Sequence, residues 1–174
     1  MIVCTVHPAN DVDDKVLMHL RDNLTNHSKR GDVHDMPSAS SEAGSDLQER
    51  IDDRFNGYPF SPGSYIVLAR KRTAIVGWCL MRPDVDIDHR PWDLLRSKKQ
   101  TINCSFYVAP AARGLGVGKL LFQEARETAR KTHVAKLTAY PWNKSSDLFF
   151  ASVGFRNVLP YVPGVASGTS VIDL

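Results

Sequence analysis

The clearest chemical feature of this sequence is a set of three alternate glycines flanked by two cations. Gly114, Gly116 and Gly118 stand between a predicted strand and a predicted helix, with Arg113 before them and Lys119 after them. Glycine permits backbone conformations and close approaches that other residues resist. The N–H groups at a helix start lie at the positive end of the helix dipole and bind anions such as phosphate. The segment therefore predicts an anion site; the alternative is a plain tight turn.

Two common phosphate motifs do not fit this segment. A Walker A loop requires Ser or Thr after Gly-Lys and another glycine five positions before that Gly-Lys. Here Leu120 follows Lys119, and Arg113 holds the earlier position. A dinucleotide-binding fingerprint requires Gly-x-Gly-x-x-Gly and an acidic residue about 20 residues further on. The third glycine comes one residue too early and residues 133–146 contain no acid, so both motifs are excluded.

A third pattern does fit. The acyl-CoA signature of the GCN5-related N-acetyltransferase (GNAT) family resembles Arg113-x-x-Gly116-x-Gly118, preceded by Val108-x-Pro110. A later segment is similar to the family's Asn…aromatic-x-x-x-Gly-Phe element, and it consists of Asn143, Leu148-Phe149-Phe150 and Gly154-Phe155-Arg156. The resemblance is specific over residues 101–156, and the order of the predicted elements extends it to the whole chain.

The resemblance implies a mixed α/β fold with a central, mostly antiparallel sheet of about seven strands, one splayed parallel pair and flanking helices. It implies acetyl-CoA as cosubstrate, with the pantetheine arm in the wedge between the splayed strands. Backbone groups of Phe106, Tyr107 and Val108 would bind the arm and the thioester carbonyl. Asn143 would bind the arm or only cap the next helix, and Phe150 belongs to the same cofactor-binding set. The pyrophosphate would lie on Arg113, Gly114, Leu115, Gly116, Val117, Gly118 and Lys119, with Arg113 the side chain that contacts phosphate.

The implied function is transfer of the acetyl group of acetyl-CoA to a primary amine, of a small molecule or of a protein, by direct attack in a ternary complex. The ammonium must lose a proton, the oxyanion needs an N–H donor, and the thiolate needs a proton or a positive environment. Family members often donate that proton from a tyrosine where this chain has Phe150. Tyr140 is the candidate replacement, with Ser145 and Ser146 as alternatives, and each also suits a structural role. A CoA-binding regulatory protein of low or no activity is the alternative function.

A second cluster is the loop sequence Asp84-x-Asp86-x-Asp88-His89. Residues 101–105 lack the glutamate that family members often carry there, so the base must come from elsewhere. Histidine ordinarily titrates in the range that suits a base, which makes His89 a candidate, and Asp88 could receive the amine or relay its proton; the alternative is a solvated loop. The acids resemble the start of a calcium loop, but Leu95 stands where that loop needs glutamate. The cysteines, Cys4, Cys79 and Cys104, lack metal-ligand spacing, so no metal is expected.

The elements that must position these residues follow from the hydrophobic periodicity. Strands are predicted over 2–6, 65–69, 73–81, 101–108, 133–140, 155–161 and 169–174. Helices are predicted from residue 10 or 11 to 24 and over 46–55, 116–131 and 145–153. Residues 26–45 and 83–100 have loop composition, and Ser45 is the expected cap of the second helix. The order β-α-α-β-β-β-α-β-α-β-β has no evident linker and predicts a single domain over residues 1–174.

Composition and charge restrict the classes of molecule that we expect this protein to bind. The 174 residues are 43% hydrophobic and 24% charged, with a net charge of +3, which is typical of a globular protein and argues against a nucleic-acid partner. The longest apolar stretch, residues 73–81, is far shorter than the ~20 residues of a membrane span. Residues 1–60 carry a balance of −5 and residues 61–174 one of +8, which favours an anionic cosubstrate and a cationic acceptor. With few cysteines and no leader-like N-terminus, we expect a cytoplasmic monomer or homodimer.

Overall fold

The computed structural model describes residues 1–29, 42–83, 101–141, 144–159 and 168–174. Their elements occur in the predicted order, which is confirmed. The strands are β1 (Ile2–Pro8), β2 (Tyr65–Lys71), β3 (Ala74–Pro83), β4 (Thr101–Val108), β5 (Lys136–Ala139), β6 (Arg156–Leu159) and β7 (Thr169–Asp173). The helices are α1 (Asp14–Lys29), α2 (Glu42–Phe55), α3 (Val117–Lys131) and α4 (Lys144–Ser152).

The strands form one seven-stranded sheet in the order β1-β2-β3-β4-β5-β7-β6. Every neighbouring pair is antiparallel except β4 and β5, which run parallel. The crossover between these two strands contains α3, as a parallel connection requires. The predicted fold class is therefore confirmed, including its single parallel pair.

The two faces of the sheet bury two separate apolar clusters. On one face, which we call the α3 face, residues such as Val67, Cys79 and Ile102 pack with Leu121 and Phe150 from α3 and α4. On the opposite α1/α2 face the buried residues are Ala9, Val12, Leu17, Leu20, Ile51, Phe60, Ile66, Leu68, Trp78 and Leu80. Alternation along each strand produces this division, because successive side chains point to opposite faces.

The central strand β4 shows the division most clearly. Ile102, Cys104 and Phe106 pack on the α3 face. The residues between them therefore point to the α1/α2 face, where Tyr107 packs against the second cluster. These alternate residues are Thr101, Asn103, Ser105 and Tyr107. One side of β4 is thus apolar, whereas the other carries polar groups next to an apolar core.

Several predicted boundaries are wrong. Residues 26–29 and 42–45, predicted as loop, belong to α1 and α2. Ser45 therefore lies inside α2 and does not cap it, because the helix already begins at the good helix formers Glu42 and Ala43. Strand β5 begins three residues later than predicted, at Lys136. The preceding residues terminate α3: His133 has φ +59°, and Val134 N–H donates to Ala129 O at 2.9 Å.

Candidate functional site

Strands β4 and β5 separate part of the way along their length. Strand β4 has eight residues and β5 has four. Their register pairs Thr101 with Lys136, Ile102 with Leu137 and, as the last pair, Asn103 with Thr138. Beyond that pair Cys104–Val108 has no partner strand on the β5 side among the described residues. We call the opening between Cys104–Val108 and the chain after Ala139 the wedge, and the Asn103–Thr138 pair its root.

The backbone of β4 offers hydrogen-bonding groups to this wedge. Ala109 donates its N–H to Val76 O at 3.0 Å, which continues the antiparallel register with β3. Backbone groups of successive strand residues point to opposite neighbours. Tyr107 therefore directs its N–H and C=O at Trp78 of β3. The residues that direct theirs into the wedge are Cys104, Phe106 and Val108.

The glycine turn begins helix α3 beside the open end of the wedge. Gly114 and Gly116 have φ of +75° and +78°, in the left-handed region that glycine tolerates best, and Gly116 is the N-cap of α3. The first helical bond runs from Leu120 N–H to Gly116 O at 3.1 Å. The N–H groups of the preceding three residues, Val117, Gly118 and Lys119, therefore lie at the exposed positive end of the helix dipole.

The surroundings of the turn favour an anion. The first turn of α3, which is described in full, contains no acidic residue. Arg113 and Lys119 are both exposed on either side of it. Arg113 also donates its Nε–H to Val108 O at 3.2 Å, so the guanidinium links the end of β4 to the turn. This bond holds a cation between the two segments that the sequence predicted to bind one ligand.

Gly118 differs from the other two glycines because its role is packing. A Cβ on Gly118 would lie 2.9 Å from Cε2 of Phe149, whereas a Cβ on Gly114 or Gly116 would meet no atom within 4 Å. Phe149 in turn contacts the rings of Phe106 and Phe150, with centroids 5.8 and 5.3 Å apart. The start of α3 is thus fixed against α4, and Gly118 is small so that the two helices can meet.

Phe150 lies in the same aromatic group. Its ring is 5% exposed and stands 5.8 Å from Phe106 and 5.3 Å from Phe155, centroid to centroid. It therefore packs directly on the side chain of a wedge residue, on the α3 face. The structure places Phe106 and Phe150 in contact, and their role in binding a cofactor stays a prediction of the sequence. A buried ring without a hydroxyl has no proton to give at this position.

Tyr107 projects from β4 to the α1/α2 face. Its ring stacks on Trp78 with centroids 5.7 Å apart and an interplanar angle of 18°. Burial raises the pKa of the Tyr107 phenol to about 12, and the charge of Arg113 opposes this rise. The hydroxyl is therefore protonated throughout the neutral range.

The structure locates only one of the predicted catalytic residues. Tyr140 directly follows β5 and is half-buried beside the wedge root, with an interaction of its own. Asp88, His89 and Asn143 lie outside the described residues. Within the described part of the chain no group of three or more His, Cys, Asp or Glu side chains could hold a metal ion. No described helix is long and apolar enough to cross a membrane.

Sequence reasoning missed a set of polar side chains at the wedge root. Asn103 and Thr138 are 5% and 1% exposed, and Asn103 Nδ2–H donates to Thr138 Oγ1 at 3.5 Å. The Thr138 hydroxyl donates to Ile102 O at 3.4 Å. A signal was present in β4, where every second residue is polar although the strand is central. Its partners could not be found, because they come from strands far away in the sequence.

Comparisons with known proteins agree with this architecture. The solved structure of a candidate GNAT-family acetyltransferase from Desulfovibrio desulfuricans is 17% identical, with a TM-score of 0.68 over 99% of this chain and 99% of its own. An acetyltransferase of the GNAT family from Staphylococcus aureus is 16% identical, with a TM-score of 0.65 over 99% of both chains. A candidate acetyltransferase from Salmonella typhimurium, solved with its cofactor acetyl-CoA, is 18% identical, with a TM-score of 0.58 over 98% of this chain and 92% of its own.

At these identities the structural likeness shows a shared fold. No curated protein sequence matches the chain. The family assignment comes from the sequence itself: the family model of the acetyltransferase (GNAT) family matches residues 32–155, which is most of the chain. The protein therefore belongs to the acetyltransferase (GNAT) family.

Proposed function

We propose that this protein is an N-acetyltransferase that transfers the acetyl group of acetyl-CoA to a primary amine by direct attack in a ternary complex. The observation that carries the proposal is that the sheet contains an open wedge and that the N-terminus of helix α3 lies at the open end of this wedge. The wedge suits an extended arm that contains amides, and the helix N-terminus suits a pyrophosphate. Family membership and a neighbour of the same fold that was solved with acetyl-CoA support the same ligand.

The residues present fit acetyl-CoA in three places. The pyrophosphate would lie on the turn from Arg113 to Lys119, where N–H groups and two exposed cations converge. The pantetheine amides would bond with the backbone of Phe106 and Val108, the groups that face the wedge. Phe150, packed on Phe106, would support that wall of the wedge. Asn143 stays a predicted contact of the arm.

The cosubstrate supplies the acetyl group as a thioester, and this chain's own residues must stabilise charge and move protons. An oxyanion at the wedge root would face the N–H of Cys104 or Phe106, a fixed donor that requires no rearrangement. A thiol pKa of about 8.5 makes CoA a fair leaving group, so a weak acid suffices. We assign that acid to Tyr140, half-buried beside the root. His89 and Asp88 stay our candidates for removing the ammonium proton.

One observation favours a second candidate function. Phe150 stands where many family members have a tyrosine, and it is buried among Phe106, Phe149 and Phe155. Such packing suits a protein that binds acetyl-CoA and regulates a partner without turnover.

The cytoplasmic location, the single-domain organisation and the monomeric or dimeric state stay predictions of the sequence.

The test is thiol release from acetyl-CoA with a broad panel of primary amines, together with calorimetric binding of CoA. We expect CoA to bind and at least one amine to be acetylated. CoA binding without turnover on any amine would support the regulatory alternative. Absence of CoA binding would contradict both functions.

The role of Tyr140 is tested by Tyr140→Phe with an active amine. Loss of a general acid lowers kcat by about 100-fold or more, whereas KM for acetyl-CoA should stay within about twofold. Tyr58→Phe is the matched control, because Tyr58 is 68% exposed and remote from β5 in the sequence. An unchanged kcat in Tyr140→Phe would remove the assignment.

A further inference from the structure

A row of four polar side chains crosses the α1/α2 face of the sheet at the level of the wedge root. The register pairs Arg82 with Asn103 and Asn103 with Thr138. It also pairs Tyr65 with Met81, so the next residue along, Ser64, stands opposite Arg82. The side chains of Ile66, Leu80 and Tyr107 establish the face, because they have the same alternation and pack against α1 and α2. We call Ser64, Arg82, Asn103 and Thr138 the polar row.

Three members of the polar row are buried, and the fourth, Arg82, is half-buried. Ser64, Asn103 and Thr138 are 5%, 5% and 1% exposed, and Nε of Arg82 is buried. Neighbouring side chains on adjacent strands lie about 5 Å apart, so the four groups form one continuous strip. Polar groups in such a place require partners, because an unsatisfied buried group costs about 1–3 kcal/mol.

One member of the polar row, Ser64, lacks a hydrogen-bond partner for its side chain among the described residues. The Ser64 hydroxyl has no hydrogen-bond partner among the described residues, although the side chain is more than nine-tenths buried. Its backbone is fully used: Ser64 O accepts from Ala9 N–H at 2.9 Å, and Ser64 N–H donates to Ser61 O at 3.1 Å. A buried hydroxyl of this kind points to a group that arrives with a ligand.

The position of the row indicates which ligand. The root lies five residues before Val108, so the wedge is about 17 Å deep at the rise of a β-strand. An extended arm anchored at the turn after Val108 would therefore end near Asn103. The acceptor must reach the acyl group at that end, and the polar row lies directly beside it. The row is too far from the turn to serve the pyrophosphate.

The chemistry of the row is that of an anion site. It contains the Ser64 hydroxyl, the Arg82 guanidinium and the second N–H of the Asn103 amide, whose first N–H donates to Thr138. The Thr138 hydroxyl itself donates to Ile102 O, and the polar row contains no carboxylate. Among the described strands, the acid on this face is Asp173, which is paired with Lys136 at 3.7 Å and Arg156 at 3.5 Å. The helices that cover the face also carry acids, and three of them are paired: Asp14 with Arg54 at 3.2 Å, Asp52 with Arg21 at 3.3 Å and Asp53 with Arg50 at 3.3 Å. Arginine with hydroxyl and amide donors is a set that recognises a carboxylate.

We propose that the polar row binds the carboxylate of the acceptor, so that the acceptor is an amino acid or a similar amine with a carboxylate close to its nitrogen. This inference rests on the proposed acetyl transfer. The acidic N-terminal part of the chain predicts a positively charged acceptor, and this inference adds a carboxylate to it. An acceptor with both an ammonium and a carboxylate group is a zwitterion.

The test compares L-α-amino acids with their α-amides, which keep the amine and replace the carboxylate by a neutral group. We expect kcat/KM for the best amino acid to exceed that for its amide by at least about tenfold, the size of one lost charge-assisted bond. Equal or better use of the amide, or of a diamine, would overturn this inference and leave the acetyltransferase proposal intact. Absence of transfer to every amine would overturn the acetyltransferase proposal and this inference together.

Substitutions in the row make the test specific. Arg82→Met should raise KM for the amino acid about tenfold, leave KM for acetyl-CoA within about twofold and abolish the preference over the amide. Ser64→Ala, which removes only the hydroxyl, should raise the same KM about threefold, and it tests the row if Arg82→Met does not fold. Arg130→Met, an exposed substitution on α3, is the control. An equal rise in KM for acetyl-CoA in either row variant would overturn the assignment.

Discussion

The Cα of Gly118 and the ring of Phe149 are so close that a Cβ on Gly118 would lie 2.9 Å from Cε2 of Phe149. Helices α3 and α4 therefore contact each other at Gly118 and Phe149, close to the turn that lies beside the open end of the wedge. Because Phe149 packs against Phe106 and Phe150, its ring is restrained on the opposite side. The position of the turn that precedes α3 therefore depends on the position of α4.

Gly118→Ala should destabilise the protein. Alanine gains up to about 1 kcal/mol in helix propensity, but overpacking costs about 1–3 kcal/mol, so we expect a net loss of about 1 kcal/mol in the free energy of unfolding. Urea denaturation measures it. Phe149→Leu in the same chain should recover part of the loss, and a Gly118→Ala protein as stable as the parent would contradict the packing role.

Arg113→Gln should weaken CoA binding about tenfold, because it removes a cation from the turn that we propose binds the pyrophosphate. Its affinity should also depend less on salt than that of the parent, since one charge pair is missing. Calorimetry at two salt concentrations measures both effects. Arg113→Lys keeps the charge and should lose less affinity for CoA than Arg113→Gln. Arg130→Gln, at the far end of α3, is the control. Unchanged affinity in Arg113→Gln would show that this side chain does not reach the phosphate.

Tyr107 should make stability depend on pH in the alkaline range. Its pKa in the fold is about 12, above the ordinary value of 10. Below pH 10 the phenol is neutral in both states, and its contribution is fully present. Between pH 10 and 12 the unfolded chain loses the proton first, so stability falls as pH rises through this window. Tyr107→Phe should flatten that part of the curve of unfolding free energy against pH. An identical slope in both proteins would refute the assignment.

The cysteines should differ in reactivity according to burial. Cys79 and Cys104 are buried, and burial with the neighbouring Cys104 thiol raises the pKa of Cys79. Cys4 is partly exposed; burial and then the charge of Glu124 raise its pKa. A thiol reagent should modify Cys4 first in the folded protein, and Glu124→Gln should speed that reaction at pH 8 by lowering the pKa. Glu127→Gln on the same helix is the control. A rate unaffected by Glu124→Gln would contradict the electrostatic contribution.

Local features of the sequence were sufficient to predict much of this fold. Strand β4 was predicted with its bounds, since a run rich in β-branched and aromatic residues ends at a proline-containing turn. Helix α3 was predicted to within one residue, since a glycine caps it and its apolar face is regular. The errors occur at the ends of elements, as at Ser45 and His133, where local signals define the boundary least well.

The family and the glycine turn could be predicted from sequence because Arg113 to Lys119 are adjacent in the chain, and local spacing alone fixes such a motif. The polar row could not be predicted. Ser64, Arg82, Asn103 and Thr138 come from four strands, and only the register of the sheet places them side by side. A shift of one residue in any strand would turn its member of the row to the α3 face. Sequence therefore indicated which cosubstrate to expect, whereas only the tertiary structure showed which polar groups lie together at the wedge root.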